Sequence, residues 1–159
     1  MEQNKILVIN PGSTSTKIAV FKGSDKVLEQ TLRHKKEELE GFNKIVEQYE
    51  FRMNIIKDTL AAGNIDLKEL KAIAARGGLL KALPCGGTYL VNETMCEDLR
   101  TAKREHASNL AALIGYQMGK ELGISCYVVD PVVVDELQPM ARLSGLKGYD
   151  RGSVWHTLN

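Results

Sequence analysis

The stretch of this 159-residue chain richest in potential chemistry is residues 10–16, Asn-Pro-Gly-Ser-Thr-Ser-Thr. One amide, one glycine and four consecutive hydroxyls lie between two apolar runs, residues 6–9 and 18–21, with Lys17 just beyond the hydroxyls. Glycine permits close backbone approach, consecutive turn N–H groups can form a concavity for an anion, and hydroxyls add donors. That chemistry suits a phosphate, with Asn10, Gly12, Ser13, Thr14 and Ser15 as its contacts. The same residues also suit an ordinary exposed hairpin turn. Neither G-x-x-x-x-G-K-[ST] nor G-x-G-x-x-G occurs in the chain, which removes the P-loop and the dinucleotide fingerprint from consideration.

Two further polar residues end apolar runs in the same manner, Arg76 after residues 72–75 and Asp130 after residues 124–129. In open α/β sheets ligands bind outside the carboxyl ends of the strands, so Asn10, Arg76 and Asp130 are expected to converge. Arg76 is followed by Gly77 and Gly78, which would let a ligand approach a guanidinium that clamps carboxylate or phosphate. An aspartate at a strand end is a usual holder of Mg²⁺, which takes one or two carboxylates plus water and phosphate oxygens. A surface ion pair for Arg76 and a turn or cap for Asp130 are the competing readings. Two histidines also bear on the site. His106 stands where a long helix begins, and His156 follows Trp155 near the end of the sequence; a buried, satisfied histidine is the ordinary alternative for both. No zinc-ligand spacing includes them, and G-x-S-x-G is absent, so neither a zinc centre nor a serine hydrolase is supported.

The elements that must position these residues are legible. Residues 6–9 and 18–21 read as buried strands joined by a Pro-Gly hairpin turn, and residues 27–32 supply a third antiparallel strand. Phe42, Ile45, Val46, Tyr49, Met53, Ile56 and Leu60 recur at helical spacing, which predicts one long amphipathic helix stopped by Gly63-Asn64. Its aromatic and methionine positions are core packing. Asp66 and Glu69 have the spacing of a capping box. A strand over 72–75, a short strand over 88–91, helices over 93–102 and 107–122, and a strand over 124–129 follow, with Gly123 closing the second of those helices. A short segment over 139–143 completes the sequence pattern. Three antiparallel strands followed by alternating helices and strands predict an α/β domain with a mixed sheet.

Composition sets the outer limits. The length predicts a single domain with a sizeable core, and 43% hydrophobic with 26% charged residues is ordinary for a globular protein. A net charge of +1 makes no case for nucleic acid or an acidic membrane as partner. The basic run Arg33-His34-Lys35-Lys36 is balanced by Glu37, Glu38 and Glu40, which predicts a solvated face. Cys85, Cys96 and Cys126 are odd in number and widely spaced, suggesting reduced thiols. With no signal-peptide pattern and no membrane-length apolar run, a cytoplasmic protein is expected.

The chain as a whole resembles the butyrate kinases, in the acetate kinase group of the superfamily of acetate and sugar kinases, heat-shock chaperones and actin. The resemblance rests on VINPGSTSTKIAVF, ARGGLL, VNETM, EHASNL, VVDPVVVDEL and SVWHTLN, which occur in the family's order over nearly the full length. It implies an N-terminal lobe of ribonuclease-H-like fold and the reaction ATP + butyrate = ADP + butyryl phosphate. By position, Asn10 would match the phosphate-loop asparagine, with Ser13 and Ser15 as neighbouring hydroxyls. Arg76 would bind the acyl carboxylate or phosphate, and His106 would contact the transferring phosphoryl group. Asp130 would associate with Mg²⁺ through water. His156 would match the histidine of a block that usually reads Phe-His-Gly and here reads Trp-His-Thr. ATP/ADP and Mg²⁺ are the implied cofactors and a small carboxylate or acyl phosphate the implied partner; the apolar surface that separate lobes would expose predicts self-association into a homo-oligomer. Family members continue into a second lobe with adenosine-binding segments, so residues 1–159 are expected to be one lobe of two. An acetate, propionate or branched-acid kinase and a non-catalytic actin-like binding domain are the alternatives.

Overall fold

The computed structural model describes residues 4–153. Strands β1 (Lys5–Pro11), β2 (Ser15–Lys22) and β3 (Asp25–Arg33) form an antiparallel meander. Helix α1 (Lys36–Leu39) and a 3-10 turn (Ile45–Gln48) lead into α2 (Tyr49–Ala62). A 3-10 turn (Leu67–Glu69) precedes β4 (Leu70–Ala75), followed by β5 (Thr88–Leu90), α3 (Glu93–Arg100), α4 (Asn109–Leu122), β6 (Ser125–Val129) and α5 (Pro139–Arg142). The six strands form one sheet in the order β3-β2-β1-β4-β6-β5. β1, β4 and β6 run parallel, so their carboxyl ends share one edge of the sheet. β5 returns antiparallel to β6.

Register explains which residues make the core. Leu7 pairs across to Val20 and Ile73, Ile9 to Ile18 and Ala75, and Cys126 and Val128 continue the rows on β6. Side chains alternate faces along a strand, so all of these point the same way. They are buried against α4, which lies across β1, β4 and β6 with α2 and α3 beside it. Helix α4 comes close because Gly115 faces the sheet: a Cβ there would sit 2.5 Å from Cys126 Sγ and 3.1 Å from Ile73 Cγ2. Burial pushes the Cys96 and Cys126 thiols up to about 11 and about 12, which makes both inert core residues.

Three sequence expectations are corrected. The apolar stripe from Phe42 to Leu60 is not one helix, because residues 45–48 wind as a 3-10 turn before α2 begins at Tyr49. Glu47 draws the chain into that turn by accepting from the N–H groups of Asn43 and Lys44. His34 is not on a solvated face: only 5% of it is accessible, and its backbone N–H donates to Thr14 O at 2.9 Å. Its charged neighbours Arg33, Lys35 and Lys36 are exposed as expected. Asp66 caps its turn by accepting from Lys68 N, while Glu69 pairs with Lys5 instead of completing the box.

Candidate anion-binding cleft

The carboxyl ends of β1 and β4 and the approach to α4 enclose a cleft of about 460 Å³. Asn10, Gly12, Ser13, Ser15, Arg76 and His106 all line it. Arg76 stands one residue beyond β4, with its backbone N–H on Ile9 O at 3.0 Å and its Nη1 donating to Asn10 Oδ1 at 3.3 Å. Two of the three predicted strand-end residues are therefore in contact, and the hydroxyl-bearing turn adjoins them.

His106 enters from the segment before α4. Ser108 N–H donates to His106 Nδ1 at 3.2 Å, and the Ser108 hydroxyl lies 2.7 Å from the same nitrogen. A ring whose Nδ1 accepts from a backbone N–H carries its neutral-form proton on Nε2, so Nε2–H is the donor left for a ligand. Ala107 and Ser108, also in the cleft wall, put the N-terminus of the fourteen-residue α4 there as well. The partial positive charge of that terminus adds to the attraction for an anion.

The turn of residues 12–15 is shaped from behind by a residue that sequence reasoning missed. Arg52 on α2 is fully buried. Its Nη1 donates to Gly12 O at 2.8 Å and Ser15 O at 3.0 Å, and its Nη2 donates to Ser13 O at 2.8 Å. Gln48 Oε1 fixes the guanidinium by accepting from Nη2 at 2.8 Å and Nε at 3.2 Å. Desolvation lowers the Arg52 pKa to about 10, which leaves it charged at neutral pH. Thr16 Oγ1 accepts from Nη1 at 3.2 Å and lies 2.9 Å from His34 Nε2. A signal for Arg52 was present: it falls three residues after Tyr49 and four before Ile56, a charge on an otherwise apolar stripe.

Asp130 is placed differently. It ends β6 on the same sheet edge, at a positive φ of 40°, but its Oδ1 accepts from Gly87 N–H at 2.6 Å and it does not line the cleft. Thr14 is exposed and likewise does not line the cleft. The two glycines after Arg76 serve packing rather than ligand approach. A Cβ on Gly77 would meet Pro131 Cβ at 2.3 Å, and one on Gly78 would meet Asn109 Oδ1 at 2.6 Å. His156 lies outside the described residues. Among the described residues no group of three metal-binding side chains occurs, and no helix is long and apolar enough to cross a membrane.

No family model matches the chain. Solved structures show similar architecture at low identity. An acetate kinase from Porphyromonas gingivalis superposes with a TM-score of 0.58 at 17% identity, covering 96% of this chain and 45% of that one. A propionate kinase from Francisella tularensis subsp. tularensis SCHU S4 gives 0.53 at 16%, covering 89% and 41%. An exopolyphosphatase from Cytophaga hutchinsonii gives 0.52 at 14%, covering 81% and 54%. The chain thus has the ribonuclease-H-like α/β fold that carboxylate kinases share with a phosphatase, and it spans about half the length of these structures.

Proposed function

We propose that this chain is one lobe of a short-chain carboxylate kinase that forms an acyl phosphate from ATP and butyrate. The observation that carries this reading is the meeting of Asn10, the hydroxyl turn, Arg76 and His106 in one cleft. In direct transfer a carboxylate oxygen attacks the γ-phosphorus, an O–P bond forms, and the bond from phosphorus to the ADP oxygen breaks. The attacking carboxylate is ionised at neutral pH, so no general base is needed. Catalysis then consists of positioning and of neutralising charge on the equatorial oxygens. Arg76 suits the carboxylate or the transferring phosphoryl group, and His106 Nε2–H suits an equatorial oxygen. Asn10, Ser13 and Ser15 orient the phosphate.

A magnesium ion would neutralise phosphate charge when bound. It would take ligands from phosphate and water, with the free oxygen of Asp130 as a single carboxylate reached through water. His156 would add a further donor at the phosphoryl group. The adenosine half of the nucleotide would bind a complementary lobe, in keeping with the share of the kinase structures that this chain spans.

A second reading, a non-catalytic binding domain or self-associating subunit, draws on Met140, Leu143, Leu146 and Tyr149, apolar residues exposed together after β6. One assay separates the two. Protein isolated from its native source, with intact mass recorded, is incubated with ATP, Mg²⁺, hydroxylamine and acetate, propionate, butyrate or isovalerate. The kinase reading expects acyl hydroxamate in greatest yield from butyrate. Greatest yield from another acid would transfer the assignment to that substrate, and no product from any acid would favour the binding domain.

A further inference from the structure

The turn of residues 12–15 is held through its carbonyls from behind, and what that hold does for an anion rests on the phosphate reading of the cleft. Every backbone carbonyl of the turn has a donor directed at it. Gly12 O, Ser13 O and Ser15 O accept from the Arg52 guanidinium, and Thr14 O accepts from His34 N–H. Ser15 O also accepts from Gly12 N–H at 2.7 Å, which closes the turn. A turn presents both lone pairs and N–H donors, and exposed lone pairs repel an anion that the donors attract. With a donor engaged at all four carbonyls, the turn directs its acceptors toward Arg52 and His34 and offers the cleft the hydroxyls of Ser13 and Ser15 and its remaining N–H groups.

We infer that Arg52 is a positioning residue for phosphate, acting through the turn carbonyls and never touching the ligand. Gln48 belongs to the same device, because it holds the guanidinium plane through two hydrogen bonds. A buried cation serving packing alone would need neither this convergence on three carbonyls of one turn nor a glutamine to set its plane. The fixed fork of the guanidinium is essential, since a lysine ammonium keeps the charge but cannot address carbonyls on both sides of the turn.

The test titrates the full chain with inorganic phosphate and follows its backbone amide resonances by NMR, with thermal melting measured alongside. In the wild type the amides of residues 12–15 shift with phosphate. Arg52→Lys is expected to weaken phosphate binding about tenfold, the scale of a lost charge-assisted hydrogen bond. Gln48→Ala, which keeps Arg52, is expected to weaken it by about twofold to threefold. A purely structural Arg52 would lower the melting temperature and leave phosphate affinity unchanged well below it, and that result would overturn the inference. Should Arg52→Lys fail to fold, wild-type affinity in Gln48→Ala would overturn it equally. Wild-type amides of residues 12–15 that ignore phosphate would instead remove the phosphate reading of the cleft, and this inference with it.

Discussion

Two glycine-bearing turns sit at the same edge of the sheet and are held by groups of opposite charge. The turn of residues 12–15 is tied down through its carbonyls by a buried guanidinium. The turn at Gly86-Gly87 is tied down through its N–H groups by carboxylates, with Glu136 Oε1 on Gly86 N at 2.7 Å and Asp130 Oδ1 on Gly87 N at 2.6 Å. The first arrangement consumes acceptors and leaves donors, which suits an anion. The second consumes donors and surrounds the turn with negative charge, which repels an anion and tolerates a cation. A glycine-rich turn at a strand end is therefore not in itself a phosphate site. What stands behind it decides what it can bind.

Breaking the first tie should cost far more than breaking the second. Arg52→Met leaves Gly12 O, Ser13 O and the buried Gln48 amide oxygen without their donor, while Ser15 O keeps Gly12 N–H. It should lower unfolding free energy by about 2–4 kcal/mol in urea titration. A loss under about 1 kcal/mol would show the turn to be self-supporting. On the functional side of the same comparison, Arg76→Ala should reduce acyl-phosphate formation about 10²–10³-fold, the usual cost of losing one donor to developing charge. Hydroxamate yield checks it, and undiminished yield would remove Arg76 from the role proposed for it.

Gly78→Ala comes next in size. The new Cβ would press within 2.7 Å of Asn109 Cα and 2.9 Å of Leu99 Cδ2. About 1–3 kcal/mol of destabilisation is expected from such overpacking. A melting temperature matching the wild type would mean that the strand-end segment shifts without cost. Glu136→Ala at the second turn removes one exposed hydrogen bond and should cost within about 1 kcal/mol.

The smallest effect concerns pH. Burial first, and the charge of Arg52 second, lower the pKa of His34 below its ordinary 6.5, with Glu38 opposing. Between the lowered value and 6.5 the unfolded chain holds a proton that the folded chain does not. Stability therefore falls as pH drops below about 6.5, and stops falling once pH passes below the folded value. Urea midpoints at pH 7 and pH 5 should differ in the wild type and converge in His34→Gln. An unchanged slope in that variant would assign the dependence to other groups.

Much of this was legible because periodicity and turn chemistry act locally. The β1–β2 hairpin, the strand ending before Arg76, the α4 closure at Gly123 and the strand ending at Asp130 all appear near their expected places. The meeting of Asn10 with Arg76 follows from parallel strands whose carboxyl ends share an edge. What escaped was non-local. Whether Asp130 would face the cleft depends on the Gly87 N–H, 43 residues earlier, and no spacing rule reports that contact. His34 looked solvated because its neighbours are charged, whereas its burial is set by Thr16 and Phe51. Arg52 was hidden for the opposite reason: the apolar pattern around it reads as core, and a charge in a core is informative only once its partners are known.

On the proposed reading, the Asn10–Arg76–His106 cleft, and not the Gly86-Gly87 turn, receives the phosphoryl group. Calorimetric titration of the wild type, Arg76→Ala and Glu136→Ala with butyryl phosphate distinguishes the two turns. Affinity is predicted to fall at least about tenfold in Arg76→Ala and to stay at the wild-type value in Glu136→Ala. Equal affinity in all three proteins, or a loss confined to Glu136→Ala, would contradict the assignment.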